Sequence, residues 1–155
     1  TCINRSVPWL TLITAGAILL LGSSGSDQAA LAGWSYQRSA ILQGELWRLV
    51  TGHLVHYSTR HLVSNLLAFI ALASWLEIRI GWRNCMKFLL GSMLFISAAL
   101  WLLVPEMEVY AGISGINYAL LGVLLLRESS LLAQQWRMPV HVSYPVFIVA
   151  SIGLL

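Results

Sequence analysis

Charged residues are scarce in this sequence: nine Lys and Arg and six Asp and Glu are spread over 155 residues. With 58% hydrophobic residues as well, the composition lies outside the range of ordinary soluble domains. The few basic residues form no cluster, which argues against a nucleic-acid partner. The shortage of charge therefore indicates an integral membrane protein whose partner is the lipid bilayer.

Cysteine is also scarce, since Cys2 and Cys85 are the only two. Two cysteines are too few for a disulfide framework, and they lack the paired spacing of a metal site, so we expect free thiols. No carboxylate or cysteine lies near His53, His56 and His61 in the sequence. We therefore expect neither a metal nor an organic cofactor.

Long apolar runs predict an all-α, polytopic transmembrane helix bundle, treated as a single domain over residues 1–155. A span needs about 20 residues. The runs cover residues 7–22, 61–80, 86–104 and 114–126, and a fifth run starts near Tyr144 and is cut off, so we expect the domain to be incomplete at its carboxyl end. The first run is short, and Arg5 before it leaves a secretory signal peptide as the alternative.

The charges of the short loops predict the orientation. Arg79, Arg83 and Lys87 join the second and third runs, whereas Glu106 and Glu108 lie between the third and fourth without a basic partner. Because basic loops stay on the cytoplasmic side, we expect a cytoplasmic amino terminus and an acidic loop that faces outward.

A serine between two glycines opens the fourth run. Gly112 and Gly115 allow a sharp turn, and a helix that starts at Ser114 presents unpaired N–H groups and a partial positive charge. These features favour Ser114 as a nucleophile, because they suit the oxyanion that develops when a serine attacks a carbonyl. The alternative is a packing stripe of the small residues Gly115, Ala119 and Gly122.

Upstream polar residues complete the candidate site. His61 and Asn65 are four residues apart, share one helical face, and offer side-chain donors to the same oxyanion. Tyr118, one turn after Ser114, lies on the face of the nucleophile and is expected to pack beneath a base. An interfacial histidine and an asparagine that bonds a neighbouring helix are the alternatives for His61 and Asn65.

The length of the fourth run predicts a sunken site. Residues 116–126 form a helix of about 16 Å, whereas the hydrocarbon core is about 30 Å thick. If that helix ends at the cytoplasmic face, Ser114 lies several ångströms below the outer surface. Irregular backbone at such depth must be buried in protein or line a watery cavity.

Taken in order, these motifs resemble one known family. The run from Gly44 to Thr51 (G-E-L-W-R-L-V-T) is followed by His56, His61 and Asn65, by E-x-R at residues 77–79, and by G-x-S-G-x-x-Y at residues 112–118. In order and spacing the pattern is similar to the rhomboid family of intramembrane serine proteases. The resemblance implies a six-helix core, Ser114 as nucleophile, His61 and Asn65 at the oxyanion, and Tyr118 supporting a general base.

Within that family the compact layout is most similar to the rhombosortases. This branch implies a bacterial inner membrane and substrates anchored by a carboxy-terminal Gly-Gly and transmembrane tail. The family's base is a histidine of the sixth helix, which the sequence does not reach. His141 is the only histidine after Ser114 and follows the cytoplasmic exit of the fourth run; like His56, it is a less favoured candidate.

The resemblance leaves two rival functions. A rhomboid-like pseudoprotease would bind transmembrane helices without cutting them. A small transporter or channel fragment would use Ser114, His61 and Asn65 to line a polar path, but such a path predicts coupled ionisable residues inside the spans. Away from their ends, the spans contain no such residues apart from Glu77, which is near a cytoplasmic end.

Overall fold

The computed structural model describes residues 7–23 and 28–136. Seven helices and one pair of two-residue strands follow in the order α1 (Trp9–Ser23), α2 (Gln28–Trp34), β1 (Tyr36–Gln37), α3 (Arg38–Leu42), α4 (Arg48–Thr51), α5 (Thr59–Ile80), α6 (Trp82–Leu103), β2 (Val109–Tyr110) and α7 (Ser114–Trp136). The long helices α1, α5, α6 and α7 form a bundle. The predicted all-α class is confirmed.

The spans lie close to the predicted runs. Helices α5 and α6 have 22 residues each and are long and apolar enough to cross a bilayer, while Trp9–Gly22 and Ser114–Arg127 are shorter apolar segments. Helix α7 continues to Trp136, past the predicted end at Leu126. The reason is local, because no glycine or proline follows Leu126 until Pro139.

Helix α5 is the centre of the bundle, since it packs against α1, α6 and α7. Its buried residues Phe69, Ala73 and Leu76 recur at helical spacing and form one apolar face. The start of α7 approaches α6 closely: a Cβ added to Gly115 would lie 3.1 Å from Ile96 Cδ1. Gly115 therefore packs closely against α6, as the alternative interpretation of this glycine predicts, and it also lies in the first turn of α7.

A buried carboxylate fastens α1 to α5. Glu77 is 5% exposed and accepts the backbone N–H groups of Leu10 and Thr11 at 3.0 and 2.8 Å and the Thr11 hydroxyl at 2.7 Å. These N–H groups belong to the first turn of α1, where no helical carbonyl can accept them. The negative charge also complements the positive end of the helix dipole.

The connection between α1 and α5 is folded rather than extended. Arg48, 6% exposed, donates to the carbonyl oxygens of Ala32 and Ser35 at 2.9 and 2.8 Å and pairs with Glu45 at 2.6 Å. Strand β1 then pairs with β2, with Tyr36 opposite Tyr110. Arg48 and the strand pair together hold this connection beside the loop that precedes Ser114.

Replacing Glu77 by Ala should destabilise the bundle. The change leaves the buried N–H group of Thr11 and the partly buried N–H group of Leu10 without acceptors, and a buried unsatisfied group costs about 1–3 kcal/mol. The measurement is thermal unfolding in detergent. Glu106→Ala, which removes an exposed carboxylate, is the matched control and should leave the melting temperature unchanged. Equal melting temperatures for the two variants would show that the Glu77 carboxylate does not stabilise α1.

Candidate active site

Two loops meet at the end of the bundle where α5 and α7 begin and α6 ends, called here the Ser114 end. The Gly112 N–H donates to the Gly52 carbonyl at 3.0 Å. A Cβ on Gly52 would lie 2.6 Å from the Tyr36 backbone nitrogen, and Gly112 has a φ of +135°. Both positions therefore require glycine, one for space and one for backbone conformation.

Three candidate site side chains converge at Gly112. The position that a Cβ would take on this glycine lies 3.4 Å from His61 Cε1, 3.9 Å from His56 Cδ2 and 4.0 Å from Ser114 Oγ. The serine begins α7, so its neighbouring N–H groups have no helical acceptor. The predicted residues Gly112, Ser114 and His61 are thus in one place, and His56 joins them.

The two histidines are fixed by the start of α5 and by the loop before it. Ser58 caps α5, and its hydroxyl accepts the His61 N–H at 3.3 Å. The His56 and His61 rings meet edge to face with centroids 5.4 Å apart. His56 Nε2 accepts the Ile113 N–H at 3.4 Å, a long hydrogen bond that requires the unprotonated nitrogen.

Asn65 and Tyr118 are not among the side chains nearest to Gly112. The Asn65 side-chain nitrogen donates to the His61 carbonyl at 2.9 Å, one turn from the convergence. Tyr118 is 55% exposed, so no base packs on its ring in the described part of the chain. His141 lies outside the described residues.

Three residues at the site were not among the candidate site residues predicted from the sequence. Asn117 donates to Asn65, and a polar residue three positions after Ser114 in an apolar run was a signal for it. Tyr110 donates its hydroxyl to the Gly112 carbonyl at 2.8 Å. His53 Nε2 lies 3.1 Å from both the Met93 carbonyl and Ser97 Oγ, a contact that no sequence spacing reveals.

The tautomer of His53 follows from its partners. Ser97 donates its only hydroxyl hydrogen to the Leu49 carbonyl at 2.7 Å, so its oxygen accepts from His53. The Met93 carbonyl can only accept. Nε2 therefore carries the proton, and His53 ties the loop that precedes α5 to the middle of α6.

The pKa values of this region reflect burial. Burial lowers the pKa of His53 to about 4. Burial, and then the neighbouring His61, lower the pKa of His56 to about 4. Burial raises the pKa of Tyr110, against the hydrogen bonds of the Ser114 side chain and the Gly115 backbone. Near neutral pH both histidines are uncharged, and the phenol keeps its proton.

The site lies below the end of the bundle. Gly115 packs on Ile96, which is seven residues before the end of α6 at Leu103, about 10 Å along the axis. The backbone of Ala111, Gly112 and Ile113 is irregular here, and all three residues are buried. Irregular backbone at such depth is tolerated in a membrane because protein covers it.

Acid should destabilise this end of the bundle. The folded state keeps His53 and His56 neutral down to about pH 4, whereas the unfolded chain binds protons from about pH 6.5 downward. Stability is therefore constant above about pH 6.5 and falls between pH 6.5 and 4, by about 1–2 kcal/mol per histidine at pH 5. Thermal unfolding at pH 7 and pH 5 measures the difference.

The variants His53→Gln and His56→Gln provide the comparison for this pH dependence. Each should be less stable than the parent at pH 7 and should lose part of the decrease between pH 7 and pH 5. A parent protein equally stable at both values would contradict the neutral, buried state of the two rings.

Comparison with known proteins relates the chain to one family. The Rhomboid domain model matches residues 43–155. The "Rhomboid protease GlpG" of Salmonella choleraesuis (strain SC-B67) is 27% identical over 127 residues, which cover 78% of this chain and 43% of that protein. The "Rhomboid protease GlpG" of Salmonella paratyphi A is 26% identical over the same shares. The chain thus spans less than half the length of these curated relatives.

The family match covers most of the chain and includes every residue of the Gly112 convergence. It agrees with the two helices that are long and apolar enough to cross a bilayer. This chain is therefore an integral membrane protein that belongs to the rhomboid family.

Proposed function

We propose that this chain is the catalytic part of an intramembrane serine endopeptidase that cleaves membrane-anchored proteins within or near a transmembrane segment. The convergence of Ser114, His61 and His56 at Gly112 carries the proposal. A hydroxyl at a helix amino terminus, beside imidazole rings and about 10 Å below the end of α6, suits acyl transfer to a peptide carbonyl. The relatives' printed name, rhomboid protease, supports the same reaction class.

The proposed reaction has two halves. A base removes the Ser114 proton as Oγ attacks the carbonyl carbon, and the carbonyl oxygen becomes an oxyanion. The N–H groups at the start of α7, the His61 ring and the Asn65 amide donate to that oxygen. The tetrahedral intermediate then collapses, so that the amine leaves with the proton that the base had taken and an ester remains on Ser114. Water hydrolyses this ester and regenerates the serine.

The general base of this proposal is the sixth-helix histidine that the family resemblance implies. Three side chains of α7, Tyr118, Leu121 and Leu125, are exposed in the described structure and leave a face on which a further helix can pack. His56 is poorly suited to this task because its Nε2 already accepts the Ile113 N–H. Tyr118 would support the incoming base from that face.

The proposed substrates are proteins anchored by a carboxy-terminal Gly-Gly and transmembrane tail. The ground for this proposal is the rhombosortase-like run that ends in G-H-L-V-H at residues 52–56. We place the Ser114 end on the outer side of a bacterial inner membrane. Arg83 and Lys87 lie in the first turns of α6, at the opposite end of the bundle, whereas Glu106 and Glu108 lie at the Ser114 end. This asymmetry supports a cytoplasmic amino terminus.

Ser114→Ala in the full-length protein should abolish cleavage of a membrane-anchored reporter that carries a Gly-Gly and transmembrane tail, because the variant lacks the nucleophile. Asn65→Ala should slow cleavage by about 10²–10³, the usual effect of one oxyanion donor, or less where His61 compensates. The initial rate of reporter cleavage in vesicles measures both. The control is Ser64→Ala, which removes an exposed hydroxyl that donates to the His61 carbonyl of the same helix, and this variant should cleave normally.

The possible outcomes separate the parts of the proposal. Cleavage by Ser114→Ala would overturn the serine mechanism. A folded parent protein that neither cuts any reporter nor reacts with a fluorophosphonate at Ser114 would indicate a pseudoprotease. Equal cleavage of a reporter whose Gly-Gly is replaced by Leu-Leu would overturn only the sorting-tail substrates.

A further inference from the structure

Two amides, the buried Asn117 and the partly buried Asn65, join α5 and α7 next to the candidate active site. Asn117 is 8% exposed, and its side-chain nitrogen lies 3.0 Å from the Asn65 carbonyl oxygen and 3.2 Å from Asn65 Oδ1. Asn117 follows Ser114 by three residues, and Asn65 follows His61 by four. The amide pair therefore lies one helical turn below the Ser114–His61 pair.

The orientation of each amide follows from a backbone acceptor. A backbone carbonyl can only accept, so the Asn117 atom beside the Asn65 carbonyl must be the NH₂ group. By the same reasoning the Asn65 atom beside the His61 carbonyl must be its NH₂ group. Asn65 Oδ1 then faces Asn117, which is the arrangement in which Asn117 donates to it.

Within the described part of the chain, this arrangement leaves one donor unused. The Asn65 NH₂ group has two hydrogens, and one is taken by the His61 carbonyl at 2.9 Å. That carbonyl lies one turn nearer to the Ser114 end, so the NH₂ group lies on the side of the amide toward Ser114. Rotation of the amide by half a turn would place Oδ1 there instead and would oppose an oxyanion.

Packing alone does not account for an asparagine at position 117. Asn117 Oδ1 is buried and finds no hydrogen-bond partner among the described residues. An unpaired buried amide oxygen costs about 1–3 kcal/mol, which an apolar residue of the same volume would avoid. The side chain is therefore better explained by what its NH₂ group does.

We propose that Asn117 is a positioning residue that holds the Asn65 amide with its NH₂ group toward Ser114. The unused Asn65 N–H is then oriented in advance for the oxyanion. This role rests on the proposed function, because it matters only if Asn65 donates in catalysis. Asn117 itself touches no reacting atom.

Asn117→Leu tests this role, because leucine has nearly the same volume and no donor. We expect kcat for the membrane-anchored reporter to fall about tenfold, less than for complete loss of the Asn65 donor. KM should stay at the parent value. The melting temperature should stay at or above the parent value. Asn117→Thr, which restores one donor, should recover part of kcat, and Asn84→Leu, at the opposite end of the bundle, should leave kcat unchanged.

A double-mutant cycle makes the test specific. In the Asn65→Ala background, Asn117→Leu should cause no further loss, because no amide remains to be oriented. Equal additional loss in that background, or a parent-like kcat for Asn117→Leu, would overturn the positioning role. Should the leucine variant not fold, Asn117→Ala also lacks a donor and carries the same expectation.

The two proposals fail in different ways. Cleavage by Ser114→Ala would remove the serine mechanism and with it the role of Asn117. Cleavage that depends on Ser114 and Asn65 but not on Asn117 would overturn only the positioning role.

Discussion

The candidate site depends on one hydrogen bond between two loops, from the Gly112 N–H to the Gly52 carbonyl. Gly52 and Gly112 are buried and lie outside the helices and strands, so these two backbone groups are paired with each other rather than within a helix or sheet. The bond also fixes where the backbone turns into α7, and so where Ser114 begins that helix. Gly52 leaves space for the backbone of Tyr36, and Gly112 adopts the positive φ that this turn requires.

The surrounding polar residues also provide hydrogen-bond partners for buried groups. His53 donates to Met93 and Ser97 of α6, His56 accepts from Ile113, and Arg48 donates to the carbonyls at the end of α2. Each of these side chains is buried and satisfies groups that apolar packing would leave unpaired. His56 can accept this hydrogen bond because burial keeps its ring neutral. Structural and candidate catalytic histidines therefore lie within one short stretch of chain.

Polar side chains also hold the helices of the bundle together. At the end opposite Ser114, the Glu77 carboxylate accepts the first N–H groups of α1. Near the Ser114 end, Asn117 joins α7 to α5. Helix α5 is thus bound to a different neighbour near each end, by a polar group that would be expensive to leave unpaired in lipid. Such bonds fix the helix register more sharply than apolar contacts do.

The sequence by itself determined the helix bundle, the approximate spans and the short list that includes Ser114, His61, Gly112 and Gly115, because apolar run length and residue spacing are local properties. It placed the end of α7 too early, since an apolar run does not show where a helix stops. The partners of Asn65, the neutral state of His56 and the contacts of Tyr110 were decided only by the tertiary structure. They depend on residues that are distant in the chain, and on a burial that no single segment specifies.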